Sequence, residues 1–212
     1  MTFLSHLING ISLGSVYALI ALGYTMVYGI AKMLNFAHGD VIMVGAYMSW
    51  FVMNQLGLGP VTAVCATIIT CTLLGVVIEK IAYTPLRSAP RISLLITAIG
   101  VSYFLQNAAQ LLWGATPKNF TSLVTFQVPE FLAKFNVSAV SLVTIVACLV
   151  IMAGLMFFTG KTKMGKAMRA VSEDKAAAQL MGINVNATIS MTFAIGSGLA
   201  AIAGVLLCSA YP

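Results

Sequence analysis

The chain has 212 residues, of which 60% are hydrophobic and 8% are charged, and its mean hydropathy is +0.99. Soluble domains carry roughly a quarter charged residues, so this composition excludes a water-soluble globular protein and predicts an all-α protein that crosses the membrane several times. The formal net charge of +6 does not indicate nucleic-acid binding. Its basic residues stand between membrane-length apolar runs, where such residues determine topology.

Charges and turn-forming residues divide the chain into six apolar runs, each long enough to cross a bilayer. The first run continues to Lys32, too far for the apolar part of a cleavable signal peptide, so we expect a retained span. The run after it is about two bilayers long and must fold back near Gly59-Pro60. We therefore predict a single transmembrane domain, 1–212, with spans near 7–30, 36–54, 61–81, 92–112, 137–158 and 188–210.

The positive-inside rule gives these spans an orientation. Segment 159–187 carries five of the eleven Lys and Arg residues, so we expect it on the cytoplasmic side. Counting back through the spans places loop 79–91 inside, loop 113–136 outside and the N-terminus outside. The basic residues of loop 79–91 and Lys32 agree with that order.

Small residues recur at every fourth position in the first and the sixth predicted spans. Such stripes let helix backbones approach closely in lipid, so both are predicted to mark contacts between helices. The two stripes are Gly10, Gly14 and Ala18, and Gly196, Ala200 and Gly204.

Four cysteines lie inside apolar runs, without a CxxC pair or a nearby histidine. We expect them to be packing residues, with no disulfide and no metal site. They are Cys65, Cys71, Cys148 and Cys208.

Segment 160–166 has the outline of a phosphate-binding loop, but Ala167 follows it where Ser or Thr would hold Mg²⁺, and a membrane helix precedes it. ATP binding by this chain is therefore not expected. The segment instead predicts an amphipathic helix. Asp174 can then cap a second short helix over 175–181, which Gly182 would end. Two such helices predict a docking surface for a cytoplasmic partner; the alternative is a solvated loop that only sets topology.

Asp40 stands near the start of the second predicted span, two residues after His38. A charge at membrane depth costs about 2.5–3.5 kcal/mol, which makes Asp40 a candidate functional residue. The structural alternative is an aspartate stabilised by the N-terminus of its own helix, with His38 as an interfacial side chain. In the fourth predicted span, polar residues either line a pore or hydrogen-bond neighbouring helices: Thr97, Ser102, Gln106 and Asn107.

Three segments carry a family resemblance: Asn9-Gly10-Ile11-Ser12-Leu13-Gly14, Leu34-Asn35-Phe36-Ala37-His38-Gly39-Asp40 and Gly165-Lys166-Ala167-Met168-Arg169-Ala170-Val171. Together they resemble membrane permease subunits of branched-chain amino acid ABC importers. The resemblance implies a multi-pass protein of the bacterial inner membrane that moves branched-chain, hydrophobic amino acids.

The same resemblance implies partners. These are a second permease, two cytoplasmic ABC ATPases that bind the ATP and Mg²⁺, and a periplasmic amino-acid-binding protein, with membrane lipid around the permeases. This chain would then be no enzyme and hold no cofactor or metal.

Two groups of site residues follow. The substrate-path candidates are Asn35, His38, Asp40, Thr97, Gln106 and Asn107. The ATPase-coupling candidates are Lys163, Gly165, Arg169, Glu173, Asp174, Ala177, Ala178 and Gly182.

The sequence departs from the family pattern in two respects. Family members usually continue through further C-terminal spans, so this chain is expected to lack them. Ala176 stands where the coupling motif of ABC permeases has a glutamate, which argues against a salt bridge there.

Two alternative functions remain open. One is a urea or amide permease of the same family, and the other is a proton-coupled secondary transporter that uses His38 and Asp40.

Overall fold

The computed structural model describes residues 2–87, 89–120 and 138–211, and all regular structure in these ranges is helical. The α-helices are α1 (Thr2–Ala31), α2 (His38–Trp50), α3 (Pro60–Ile78), α4 (Arg91–Trp113), α5 (Ala139–Lys161), α6 (Lys163–Glu173), α7 (Lys175–Leu180) and α8 (Val185–Ala210). Short π-helical or 3₁₀ stretches extend α2 and α3: Phe51–Gln55, Glu79–Tyr83 and Thr84–Leu86.

Five helices are long and apolar enough to cross a membrane, judged by length and composition: α1, α3 with its extension, α4, α5 and α8. Their bounds lie within a few residues of those of five of the six predicted spans. The span predicted near 36–54 is helical as well, but α2 has 13 residues before its π-helical extension. Residues 121–136 of the predicted outer loop, and residue 137 of the fifth predicted span, lie outside the described residues.

Helix α8 forms the centre of the bundle. It packs most extensively against α1, α2 and α3, while α4 packs against α2, and α5 packs against α1 and, less extensively, against α8. Within its most apolar stretch 61% of α8 is buried in the chain, against 17% for α4 and for α5. Because lipid is as apolar as a protein interior, hydropathy alone does not select the central helix, and small residues that permit close approach favour α8 for that place.

The small-residue stripe of α8 makes the contacts that the sequence predicts. A Cβ atom on Gly204 would lie 2.5 Å from the Ile42 carbonyl oxygen of α2, and one on Gly196 would lie 2.8 Å from Val27 Cγ2 of α1. Ala200 between them is fully buried. Close approach of α1 and α2 to α8 therefore depends on this stripe.

The same prediction is wrong for α1 within this chain. Among the described residues, no atom outside the local helix backbone lies within 4 Å of a Cβ built on Gly10 or Gly14, and Ala18 is exposed. The buried face of α1 is instead the one that carries Val16 and Leu19, which pack with residues of α5 and α8. Larger apolar side chains offer more dispersion contacts, and the fold buries that face.

Helix α2 begins deep inside the bundle. After Ala31 the chain turns at Lys32, whose φ is 58°. A non-helical segment then leads back into the bundle to His38, where α2 begins. A Cβ on Gly23 would lie 2.9 Å from His38 Cε1 and 3.0 Å from the Gly196 carbonyl oxygen. Gly23 is eight residues from the end of α1, and Gly196 is eleven residues from the start of α8. Measured along the helix axes, these separations are roughly 12 and 16 Å. Helix α2 therefore starts about halfway along α8.

Candidate substrate path and cytoplasmic segment

Two predicted path residues meet across α2 and α4. Gln106 Nε2 donates to Asp40 Oδ1 at 2.9 Å and also lies 3.2 Å from Ser102 Oγ. Asp40 is buried, and its second oxygen, Oδ2, has no hydrogen-bond partner among the described residues. The first turn of α2 holds this carboxylate, where the positive end of the helix dipole stabilises a negative charge.

A groove of about 450 Å³ lies between α2 and α4, and Gln106 of this pair lines it. On α2, Met43 and Tyr47 follow Asp40 at helical spacing and therefore share its face. Tyr47 stacks on Trp113 at 5.1 Å near the end of α4. The groove is lined by Met43, Tyr47, Tyr103, Gln106, Asn107, Ala109, Gln110, Gly114 and Ala115. Its wall thus combines apolar surface with a few amides and phenols.

A second cleft, of about 440 Å³, lies at the opposite end of α4. It is lined by Tyr28, Lys32, Met33, Leu34, Leu94 and Leu95. Thr97, half-buried, stands on α4 between the residues that line the two clefts. One helix therefore borders both clefts, and Gln106 of the Asp40–Gln106 pair lines the α2–α4 groove.

The other predicted path residues point elsewhere. His38 fits the slot between α1 and α8 at Gly23, with its ring 6.0 Å from that of Tyr24, and its Nε2 is buried without a partner among the described residues. Asn35 accepts a 3.1 Å hydrogen bond from the Tyr83 hydroxyl. In the described part of the chain no hydrogen bond or ion pair joins His38 to Asp40. His38 contacts α1 and α8, whereas Asp40 contacts α4.

A buried carboxylate at the end of α3 was missed by the sequence analysis, which placed Glu79 in a charged loop. Glu79 is fully buried, forms an ion pair with Arg87 and accepts hydrogen bonds from Thr84 Oγ1 (2.8 Å) and Ser190 Oγ (2.6 Å). Arg87 also donates to Asn186. A buried charge is tolerable when it is paired and hydrogen-bonded, and this network ties the end of α3 to α8.

The two helices predicted in segment 159–187 are confirmed as α6 and α7. Thr162 caps α6 by accepting from the Gly165 N–H at 3.0 Å. Asp174 caps α7 by accepting from the N–H groups of Ala176 and Ala177. Gly182 has a φ of +82°, a conformation that glycine adopts readily after a helix end.

The predicted coupling residues divide into packing and surface positions. Gly165 and Ala178 are buried, and a Cβ on Gly165 would overlap backbone atoms of Phe158 and Thr159. These two positions therefore pack α6 and α7 onto the bundle, together with buried Met168 and Val171. The exposed coupling candidates are Lys163, Arg169, Glu173, Asp174, Ala177 and Gly182.

Lys175 attaches this segment to α1. Its ammonium Nζ donates to the Ala31 carbonyl oxygen at 2.7 Å, at a helix C-terminus where a positive charge is favourable. Partial burial, and then the positive charges of Arg87 and Lys32, lower the pKa of Lys175. Beside this anchor the segment carries an apolar surface formed by Leu180 and Met181, which are 88% and 83% exposed. The sequence analysis missed this surface.

Cysteines and metal-ligand clusters add no further site. Cys71 and Cys148 are buried packing residues as predicted, Cys208 is half-buried, and Cys65 is exposed, contrary to expectation. Within residues 2–87, 89–120 and 138–211, no group of three or more His, Cys, Asp or Glu side chains could hold a metal ion.

Comparison with known proteins defines the class. A family model described as "Branched-chain amino acid transport system / permease component" matches residues 6–211. The chain belongs to this permease family.

Individual relatives agree. The chain is 41% identical to the "High-affinity branched-chain amino acid transport system permease protein BraD" of Pseudomonas aeruginosa, over 99% of this chain and 72% of that protein. It is 40% identical to the LivH permease protein of the same description in Escherichia coli K12, over 99% and 71%. A probable LivH permease of Methanocaldococcus jannaschii is 27% identical over 89% of this chain and 61% of the relative. No solved structure gives a significant match.

Proposed function

We propose that this chain is a permease subunit of an ABC importer that moves branched-chain amino acids across a bacterial inner membrane. Its partners are a second permease, two cytoplasmic ATPases and a periplasmic amino-acid-binding protein. The ATPases bind ATP and Mg²⁺ and hydrolyse ATP, while this chain holds no cofactor and supplies a path. Family membership supports the permease role, and the names of the relatives support the substrate class.

The observation that carries the proposal is the form of segment α6–α7. One face is fixed to the bundle by buried Met168 and Val171, and by Lys175 on the end of α1. The opposite face exposes charged side chains and, at the end of α7, Leu180 and Met181. A rigid element that is anchored on one side and open on the other can transmit displacement from a docked partner to α1 and α8.

The two clefts along α4 supply a route for the substrate. Each is within the size range of small-molecule sites, about 300–1,000 Å³. The cleft near the start of α4 is lined mainly by apolar side chains, and the α2–α4 groove combines apolar side chains with amides and phenols. Those walls suit a branched aliphatic side chain attached to a charged backbone. Gln106 places the Asp40–Gln106 pair at the wall of the α2–α4 groove.

The docking role is tested by changing Leu180 to arginine. The residue is 88% exposed, so Leu180→Arg should leave folding intact, while a charge within an apolar contact should weaken ATPase docking. We expect the ATPases to co-purify at less than about one tenth of the wild-type level, since interface anchors contribute 2 kcal/mol or more. In proteoliposomes, ATP-driven L-leucine uptake should fall equally.

Leu58→Arg is the matched control. Leu58 is another exposed leucine in the turn before α3, at the opposite end of the spans from α7, and this variant should retain ATPase co-purification. Normal co-purification and uptake with Leu180→Arg would contradict the docking role.

The alternative functions predict different uptake. A urea or amide permease would import urea or acetamide in the same assay and exclude leucine. A proton-coupled transporter would import under a pH gradient without ATP, through proton exchange between His38 and Asp40, which contact different helices here. Leucine uptake that needs ATP and ignores the pH gradient is the result expected from our proposal.

A further inference from the structure

The start of α2 presents unsatisfied hydrogen-bond donors inside the bundle. His38 N–H bonds to Asn35 and Val41 N–H to Ala37, whereas the N–H groups of Gly39 and Asp40 have no partner among the described residues. Gly39 is exposed, and no neighbouring atom of the described residues lies within 4 Å of the place of its missing Cβ. The first N–H groups of a helix, with the positive end of its dipole, form a site for anionic groups.

An unsatisfied acceptor lies in the same turn. Asp40 is 7% exposed, Gln106 occupies Oδ1, and Oδ2 is buried without a partner. In the described part of the chain no Lys, Arg or His lies within ion-pair distance of Asp40. A carboxylate at membrane depth is costly unless a cation or several donors neutralise it, so this oxygen is suited to accept from a positively charged ligand group.

We propose that the first turn of α2 binds the zwitterionic backbone of an amino acid on its way through the membrane. The ligand's α-ammonium group donates to Asp40, and its α-carboxylate accepts from the N–H groups of Gly39 and Asp40. Its side chain extends into the α2–α4 groove towards Met43 and Tyr47. The inference rests on the proposed function, and it assigns substrate recognition within the path to one turn of helix.

The charge balance selects the ligand class. Asp40 and the N-terminus of α2 place a negative and a positive charge a few ångströms apart, and a zwitterion matches both with charge-assisted hydrogen bonds. A carboxylic acid without the ammonium would bring a second negative charge to Asp40. An amine without the carboxylate would leave the helix N–H groups unpaired. Urea and amides carry neither charge.

The test is a direct binding measurement without the binding protein, whose own selectivity would mask that of the membrane path. The chain with its partner permease and ATPases is placed in lipid nanodiscs, and saturation-transfer NMR measures the affinity of three probes. The probes are L-leucine, 4-methylpentanoate, which lacks the ammonium, and 3-methylbutylamine, which lacks the carboxylate. We expect leucine to bind about tenfold or more tightly than either analogue, since truncating one partner of a buried charge pair is costly.

Two substitutions of Asp40 identify its role. Asp40→Asn should bring leucine and 4-methylpentanoate to within about twofold of each other, and Asp40→Glu should keep most of the discrimination. Glu79→Gln is the matched control, because Glu79 is also a buried carboxylate and belongs to the Arg87 network at the cytoplasmic end. Its affinity ratio should equal that of the wild type.

Equal affinity of the wild type for all three probes would overturn the inference even if no variant folds. Discrimination that survives in a folded Asp40→Asn variant would overturn it as well. Leucine uptake by the complete importer separates the two proposals. If uptake occurs without probe discrimination, the inference fails and the proposed function stands, whereas an importer that excludes leucine contradicts the proposed function.

Discussion

Helices α1 and α8 carry the same small-residue pattern and use it in opposite ways. In α8, Gly196 and Gly204 lie against backbone and side-chain atoms of α1 and α2. In α1, a Cβ built on Gly10 or Gly14 would have no neighbouring atom within 4 Å in the described part of the chain. The pattern therefore shows that a helix surface permits close approach, and the identity of its partner has to come from the rest of the bundle.

The difference follows from the positions of the two helices. Helix α8 is enclosed by α1, α2 and α3, so a small face on it must meet a neighbour. Helix α1 lies at the side of the bundle and offers two faces, of which the one with Val16 and Leu19 is buried. In lipid, where apolar exposure has little cost, packing contacts decide which face turns inward.

Gly204→Ala should have the largest effect of the changes that test this comparison. Its Cβ would lie 2.5 Å from the Ile42 carbonyl oxygen and 3.4 Å from the Ala46 nitrogen. These are backbone atoms, so α2 would have to move as a whole. We expect a loss of about 3 kcal/mol, the upper range for overpacking, measured by SDS-induced unfolding in mixed micelles. A loss below about 0.5 kcal/mol would show that α2 and α8 are not in close contact here.

Gly75→Ala tests the contact between α3 and α8 and should cost about 2 kcal/mol. The new Cβ would overlap the Ser197 side chain and lie 3.2 Å from the Phe193 carbonyl oxygen. Because most of the conflict is with one side chain, adding Ser197→Gly should restore more than half of the loss. A double-mutant cycle measures this coupling. Additive losses would refute the contact.

How much of this arrangement the sequence predicts depends on the range of the interaction. Span positions follow from runs of apolar residues, and the caps at Thr162 and Asp174 concern groups three residues apart or fewer; the cap of α7 was predicted. The Asp40–Gln106 bond joins positions 66 residues apart. Both were candidates, but their pairing depends on how far α2 starts inside the bundle, which no local pattern encodes.

Glu79 shows a second limit. A charged residue close to the end of an apolar run usually belongs to the connecting loop, and Glu79 was placed in loop 79–91. The π-helical extension of α3 carries it into the bundle instead, where Ser190 of α8 reaches it. The available indication was the polar pair Asn186 and Ser190, one turn apart near the start of an otherwise apolar helix. Such a pair needs partners.

Gly196→Ala should have a smaller effect than either earlier change. The nearest atom to the new Cβ is Val27 Cγ2 at 2.8 Å, the end of a side chain, and the Gly23 carbonyl oxygen follows at 3.1 Å. A methyl group can shift more easily than a backbone, so we expect a loss of about 1 kcal/mol. Val27→Ala in the same chain should remove most of this increment, as measured by the same unfolding titration. A loss as large as that of Gly204→Ala would contradict the ranking.

Gly14→Ala should have the smallest effect and is the direct counterpart on α1. Because no atom of residues 2–87, 89–120 or 138–211 outside the local helix lies within 4 Å of the new methyl group, the change should alter the unfolding free energy of the isolated chain by less than about 0.5 kcal/mol. Any shift should favour the folded state, because alanine is the better helix former. A loss above about 1 kcal/mol would place Gly14 against another helix of this chain. The two stripes would then be used in the same way, and the face of α1 that carries Val16 would not be the one that packs.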